Sequence, residues 1–173
     1  MTLDTSGRRR LHHQGIIPST PTATPTPKAA STISTWGARV VDAFAGSGAL
    51  GIEALSSGAE HCTFIERDRE ALEVLQENLE TLGLADRSTV VRGDVMTNIA
   101  LVRNVSLVLA DPPYEFAKWG QFLAEVGCDL VVAESDRDMN DEMSGKSPAI
   151  TGWEVTRVKR YGRAYVSFLQ RLA

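Results

Sequence analysis

Apolar positions gather first in the run Ala38 to Phe44, which breaks at Gly46. The run predicts a buried strand over 38–44, and Ala49-Leu50-Gly51-Ile52 onward predicts a helix over about 47–57, ended by Gly58. His61 to Ile65 predicts a second strand, and Ala71, Leu72, Leu75, Leu79 and Leu82 repeat at helical spacing over 69–82. Gly83 closes that helix as its cap. Thr89-Val90-Val91 predicts a third strand and 96–102 a short helix. Val105 to Ala110 is apolar throughout, as in the middle of a parallel sheet. A helix is expected over Phe116 to Val126, a fifth strand over Leu130 to Ala133, and a loop or short helix over 135–149. Trp153–Lys159 and Ala164–Leu169 alternate around Tyr161-Gly162-Arg163, which predicts an antiparallel hairpin.

Strand and helix alternating in this way predict an α/β fold, a Rossmann-like doubly wound sheet, mostly parallel, with a C-terminal antiparallel hairpin. Residues 1–36 differ in texture. Arg8-Arg9-Arg10 leads into a Pro- and Thr-rich stretch to Pro27, and no acid lies between Asp4 and Asp42. Such a stretch cannot build a core, so the chain divides into an extended or disordered basic arm at 1–36 and a folded domain at 37–173.

Composition narrows the field. The 173 residues suit one domain, and a net charge of −4 excludes a uniformly basic nucleic-acid binder. Any contact with RNA must come from local patches, and Arg157, Lys159, Arg160 and Arg163 with Arg8 to Arg10 are the candidates. Cys62 and Cys128 have neither disulfide nor zinc spacing and suggest reduced thiols in a cytoplasmic protein. No apolar run is long enough for a membrane span. No metal site is indicated, and a monomer is expected.

Ligands of doubly wound sheets bind beyond the carboxyl ends of the strands. Polar or glycine-rich residues stand at four such ends here: 42–48, Glu66, Asp94 and 111–114. Gly46 and Gly48 permit a tight turn into a helix N-terminus. Glu66 is placed to accept from a ribose diol, and Asp94 from an adenine amino group. Asp111-Pro112-Pro113-Tyr114 is the sharpest local signal. The prolines carry no amide donor, so the Asp111 carboxylate and a backbone carbonyl form a pair of acceptors. Two acceptors suit an exocyclic amino group, and Tyr114 offers a face for a base taken out of its stack.

The pattern Asp42-Ala-Phe-Ala-Gly-Ser-Gly-Ala-Leu-Gly-Ile-Glu-Ala-Leu55, with Phe64-Ile-Glu-Arg-Asp68, Asp94 and Asp111-Pro-Pro-Tyr114, resembles class I S-adenosylmethionine-dependent methyltransferases. Its detailed form, with Ser57-Gly58-Ala59, resembles the RsmD family, over about 37–170. That resemblance implies methyl transfer from S-adenosylmethionine to a guanine N2 amino group in small-subunit (16S) rRNA, free or in an assembly particle. It implies cofactor contacts from Asp42, Phe44, Gly46, Ser47, Gly48, Glu66, Arg67, Asp94 and Val95. It implies that Asp111, Pro112, Pro113 and Tyr114 hold the target base. Asp/Asn-Pro-Pro-Tyr also serves adenine-N6 and glutamine methyltransferases, so those substrates stay open. The family's usual Arg-Pro-Thr is only faintly echoed at Pro25-Thr26-Pro27, and its Val-Arg-Glu-Ala-Leu-Phe helix has no counterpart, since Lys28 to Thr35 is shorter and lacks its acid and aromatic. A truncated, non-catalytic cofactor-binding member therefore also stays open.

Overall fold

The computed structural model describes residues 34–141 and 150–173. The reading of 1–36 as an arm lies almost wholly outside the described residues, as does most of the expected 135–149 loop. Seven strands form one sheet: β1 (Arg39–Asp42), β2 (His61–Glu66), β3 (Ser88–Arg92), β4 (Leu107–Ala110), β5 (Leu130–Ser135), β6 (Trp153–Tyr161) and β7 (Ala164–Arg171). Their order is β3-β2-β1-β4-β5-β7-β6. The first five strands run parallel, and β7 joins β5 antiparallel with β6 outside it. Helices α1 (Ala49–Ser56), α2 (Arg69–Thr81), α3 (Val95–Asn98) and α4 (Trp119–Glu125) connect the parallel strands. A helical turn at Met139–Asp141 follows β5.

Alternation along each strand divides the core between the two sheet faces. Val40, Phe64, Leu109 and Val132 pack with Leu55 of α1 and Leu75 of α2. Val41, Ile65, Val108 and Val131 pack on the other face with Phe122 and Leu123 of α4. Neighbouring residues face opposite sides because the strand period is two. The four residues of β4 are buried on both faces, which is why that strand reads as a continuous apolar run.

Helix ends follow local chemistry. Asp68 caps α2 by accepting from the Ala71 amide at 2.9 Å. Leu72, Leu75 and Leu79 are buried, but Leu82 stands past the last turn and is exposed, unlike its place in the predicted stripe. Gly83 follows with φ +65°. Helix α4 starts at Trp119 rather than at Phe116. The Phe116 amide instead donates to the Pro113 carbonyl at 2.8 Å and closes a turn. That turn drops the Phe116 ring edge-on to Phe44 and Trp119, each 5.2 Å away between centroids. The hairpin strands are longer than predicted, and only Gly162 and Arg163 lie between them. Gly162 has φ +61°, as a two-residue hairpin turn demands.

Candidate active site

Strand order reverses at β1, whose neighbours are β2 on one side and β4 on the other. A sheet wound this way opens a crevice beyond the carboxyl ends at that point. A cavity of 790 Å³ lies there. It is large enough for a nucleoside-sized ligand with a second group beside it.

Backbone amides build one wall. The Glu66 carboxylate, at the end of β2, accepts from the Gly46 amide at 2.7 Å. It also accepts from the amides of Arg67 and Asp68, each at 2.8 Å. One side chain thereby ties the β1 turn to the β2 turn and is held in a single orientation. Asp94, after β3, caps the following turn by accepting from the Met96 amide at 2.9 Å. Its other oxygen meets the Arg67 guanidinium at 3.2 Å on the exposed rim. Gly46, Glu66, Arg67, Asp94 and Val95 line this side of the cavity, with Phe44 between the two walls.

Asp42, Ser47 and Gly48 are not among the lining residues. Asp42 is buried beneath the turn, and its Oδ2 accepts from the Gly51 amide at 2.8 Å. The first turn of α1 therefore spends that amide on an internal carboxylate. Burial raises the Asp42 pKa to about 7, helped by the nearby charges of Asp111 and Glu66, while the Gly51 amide opposes the shift. Its Oδ1 is buried without a hydrogen bond among the described residues. Gly48 serves packing: with φ +88°, a Cβ there would lie 2.4 Å from Leu75 Cδ1. Gly51 allows α1 to rest on β2, where an added Cβ would come within 2.3 Å of the Phe64 ring. Ser47 is exposed, and its carbonyl accepts from the Asn78 side chain at 3.0 Å.

Asp111, Pro112, Pro113 and Tyr114 form the opposite wall. The Pro113 carbonyl is taken by Phe116, so the Asp111 carboxylate and the carbonyls upstream remain as acceptors. Burial raises the Asp111 pKa. Tyr114 is 53% exposed, which leaves a ring face available at the mouth.

One acid here was not singled out by the sequence. Glu134 sits in β5 one position beyond Ala133, which pairs with Ala110 of β4. Continuing that register puts Glu134 beside Asp111. Its Oε2 is buried without a hydrogen bond among the described residues. Burial first, and the Asp111 charge second, raise its pKa to about 7. It also borders a small crevice behind the proline turn, with Pro113, Phe116 and Trp119. An acid directly after the apolar run Leu130–Ala133 was the available signal. Lys118 also lines the main cavity and was not anticipated.

Among the described residues no group of three or more potential metal ligands converges. No helix there is long and apolar enough to cross a membrane.

A parallel sheet in this order, extended by an antiparallel pair and opening a polar-rimmed crevice at its reversal, is the class I methyltransferase architecture. Comparison with known proteins narrows the class. The family described as conserved hypothetical protein 95 matches residues 29–170. The chain is 37% identical over 149 residues to YlbH of Bacillus subtilis (strain 168), by provisional name an rRNA methyltransferase, with 78% of this chain and 77% of that one covered. It is 39% identical over 106 residues to ribosomal RNA small subunit methyltransferase D of Escherichia coli (strain K12), a match spanning 57% of this chain and 53% of that protein. A solved Escherichia coli structure, provisionally described as the methyltransferase yhhF, superposes with a TM-score of 0.67 at 31% identity, covering 79% of this chain and 77% of the other. The chain belongs to this family, the RsmD family of methyltransferases.

Proposed function

We propose that the protein transfers a methyl group from S-adenosylmethionine to the exocyclic N2 amino group of a guanine in small-subunit rRNA. The observation that carries this reading is the Asp111 carboxylate. It lines the same cavity as Glu66 and accepts no hydrogen bond from any described residue. A raised, unpartnered acceptor of this kind suits an incoming amine. The names of the Bacillus and Escherichia coli relatives support ribosomal RNA as the substrate class.

The residues fit the cofactor. A Cβ at Gly46 would meet no protein atom within 4 Å, so the turn leaves open space on the cavity side. Glu66 has acceptor capacity beyond its three amide bonds, which suits a ribose diol. Asp94 and Val95 would flank the adenine, and the Gly46 turn would meet the methionine end. When bound, S-adenosylmethionine supplies an electrophilic methyl group on a positively charged sulfur.

The remaining chemistry belongs to the chain. Asp111 and a carbonyl of the proline turn accept the two amine hydrogens. Those bonds draw the nitrogen out of plane and free its lone pair for attack on the methyl carbon. The Tyr114 ring holds the base, and Phe44 closes the space between the two walls. The sulfur of the bound donor would leave as a neutral thioether, keeping the electron pair of its methyl bond. The nitrogen then sheds one proton, and water at the open mouth takes it. Most of the rate comes from positioning.

Purified protein with tritiated S-adenosylmethionine, offered small-subunit particles lacking the modification, naked rRNA and DNA, tests this reading. Label is expected in the small-subunit RNA. Label confined to DNA or to protein would replace it with the adenine-N6 or glutamine reading. No label anywhere would leave a non-catalytic member.

A further inference from the structure

The hairpin of β6 and β7 carries five cations and one acid between Trp153 and Arg171, in a chain whose net charge is −4. The two ends of this hairpin use their cations differently. At the far end, Arg171 is consumed internally. It donates to the carbonyls of Val126 and Cys128 at 2.6 and 3.3 Å and lies 4.5 Å over the Trp153 ring. It also meets the Asp129 carboxylate at 3.6 Å.

At the other end, Arg160 and Arg163 pair with no carboxylate among the described residues, and neither does Arg157, which lies midway along β6 opposite Phe168 on the sheet face away from Arg160. All three are exposed. Two are held by rings all the same. The Arg157 guanidinium carbon is 5.9 Å from the Phe168 centroid, and that of Arg160 is 5.4 Å from the Tyr165 centroid. Arg160 is further pinned by its Nε donating to the Gly162 carbonyl at 3.1 Å. Ring stacking fixes a guanidinium while leaving in-plane donors for a phosphate. Exposed arginines ordinarily lose much side-chain freedom on binding, and here part of that loss is already met.

Topology gives these arginines a direction. Ser135, at the carboxyl end of β5, pairs with Tyr165, which pairs with Arg160. The hairpin turn therefore projects from the same edge of the sheet as Asp111. Asp111 and β6 are separated by three strand spacings, roughly 14 Å. Among the described residues, strand β6 is also the outer edge of the sheet and carries no further strand. The exposed Tyr161 and Tyr114 stand at this same end.

We propose that the tip of the β6–β7 hairpin is a phosphate-binding rail that grips the RNA backbone flanking the target base. This inference rests on the RNA reading given above. The Arg160 and Arg163 guanidiniums contact phosphates and position the strand, and they take no part in selecting the base.

The test compares the full-length protein with an Arg160→Ala, Arg163→Ala variant and with the corresponding double lysine variant. Binding to a small-subunit rRNA transcript is measured by filter retention across a salt series, and methyl transfer by KM and kcat. The alanine variant is expected to bind RNA at least tenfold more weakly. Its slope of log K against log salt should fall by about 1.4, as loss of two phosphate contacts on a single strand implies. Its KM for RNA should rise, kcat at saturating RNA should stay within about twofold, and affinity for S-adenosylhomocysteine should be unchanged. The lysine variant should keep the salt slope and lose part of the affinity. An alanine variant with the wild-type slope and KM overturns the rail. If the wild-type protein binds the transcript but methylates no RNA, the proposed function fails while the salt slopes still decide the rail.

Discussion

The two walls of the cavity handle their carboxylates in opposite ways. On the wall formed by β2 and β3, acids are already committed. Glu66 accepts from three backbone amides, and Asp94 caps a turn and meets Arg67. On the wall formed at the end of β4, Asp111 accepts no hydrogen bond from a described residue, and behind that wall Glu134 of β5 has one oxygen buried without any. Both of these acids have raised pKa values. A wall fixed by the main chain is suited to a ligand that returns unchanged in shape at every turnover. A wall of unsatisfied acceptors is suited to a donor that arrives with the substrate. Unpartnered buried polar groups cost stability, and they are retained where a ligand completes them.

Removing an acceptor from each wall breaks this comparison most sharply. Asp111→Ala should lower kcat by roughly 100- to 1000-fold, in keeping with loss of a group that positions the nucleophile. Its affinity for S-adenosylhomocysteine, read by calorimetry, should stay within about threefold. Equal loss of both would merge the two walls into one function.

Glu66→Ala should do the converse. Affinity for S-adenosylhomocysteine should fall at least about tenfold, since a ribose acceptor is lost. The three freed amides should also cost about 2 kcal/mol of folding stability, visible as a lower urea midpoint. A variant with unchanged affinity would mean that Glu66 only ties the two turns together.

The smallest effect sharpens the second wall through pH. Glu134 keeps its proton up to about pH 7 in the folded chain, against an ordinary value of 4.5. The folded chain therefore binds more protons than the unfolded chain between those values, and stability falls as pH rises through that window. Below the window Glu134 contributes nothing. Glu134→Gln should leave Tm unchanged near pH 4 and raise it by about 2–4 °C at pH 8. This corresponds to roughly 1 kcal/mol once solvent screening is allowed for. An equal shift at both pH values would show that the charge of Glu134 is not the cause.

Much of this was legible in the sequence because it rests on local rules. Apolar runs, the glycine turn and the Gly83 helix end set the strand and helix order. The Asp-Pro-Pro-Tyr turn announced its acceptors by lacking donors. What escaped depends on contacts distant along the chain. The start of α4 moved to Trp119 because the Pro113 carbonyl claimed the Phe116 amide. Asp42 reads as a ligand-facing acid until the fold turns its carboxylate onto Gly51, beneath the cavity. Glu134 acquires meaning only when β4 and β5 lie side by side in register. The division of hairpin arginines into consumed and unpaired also needs the pairing of Ser135 with Tyr165.

The central claim is that one cavity brings a methyl donor on the amide-tied wall to an exocyclic amine on the unpaired wall. Nucleoside mass spectrometry of small-subunit rRNA from cells with and without the gene tests it most directly. The account predicts N2-methylguanosine at one position, present with the gene and absent without it. Identical methylation profiles in the two RNAs, or a loss confined to a nucleoside methylated elsewhere than on an exocyclic amine, would contradict it.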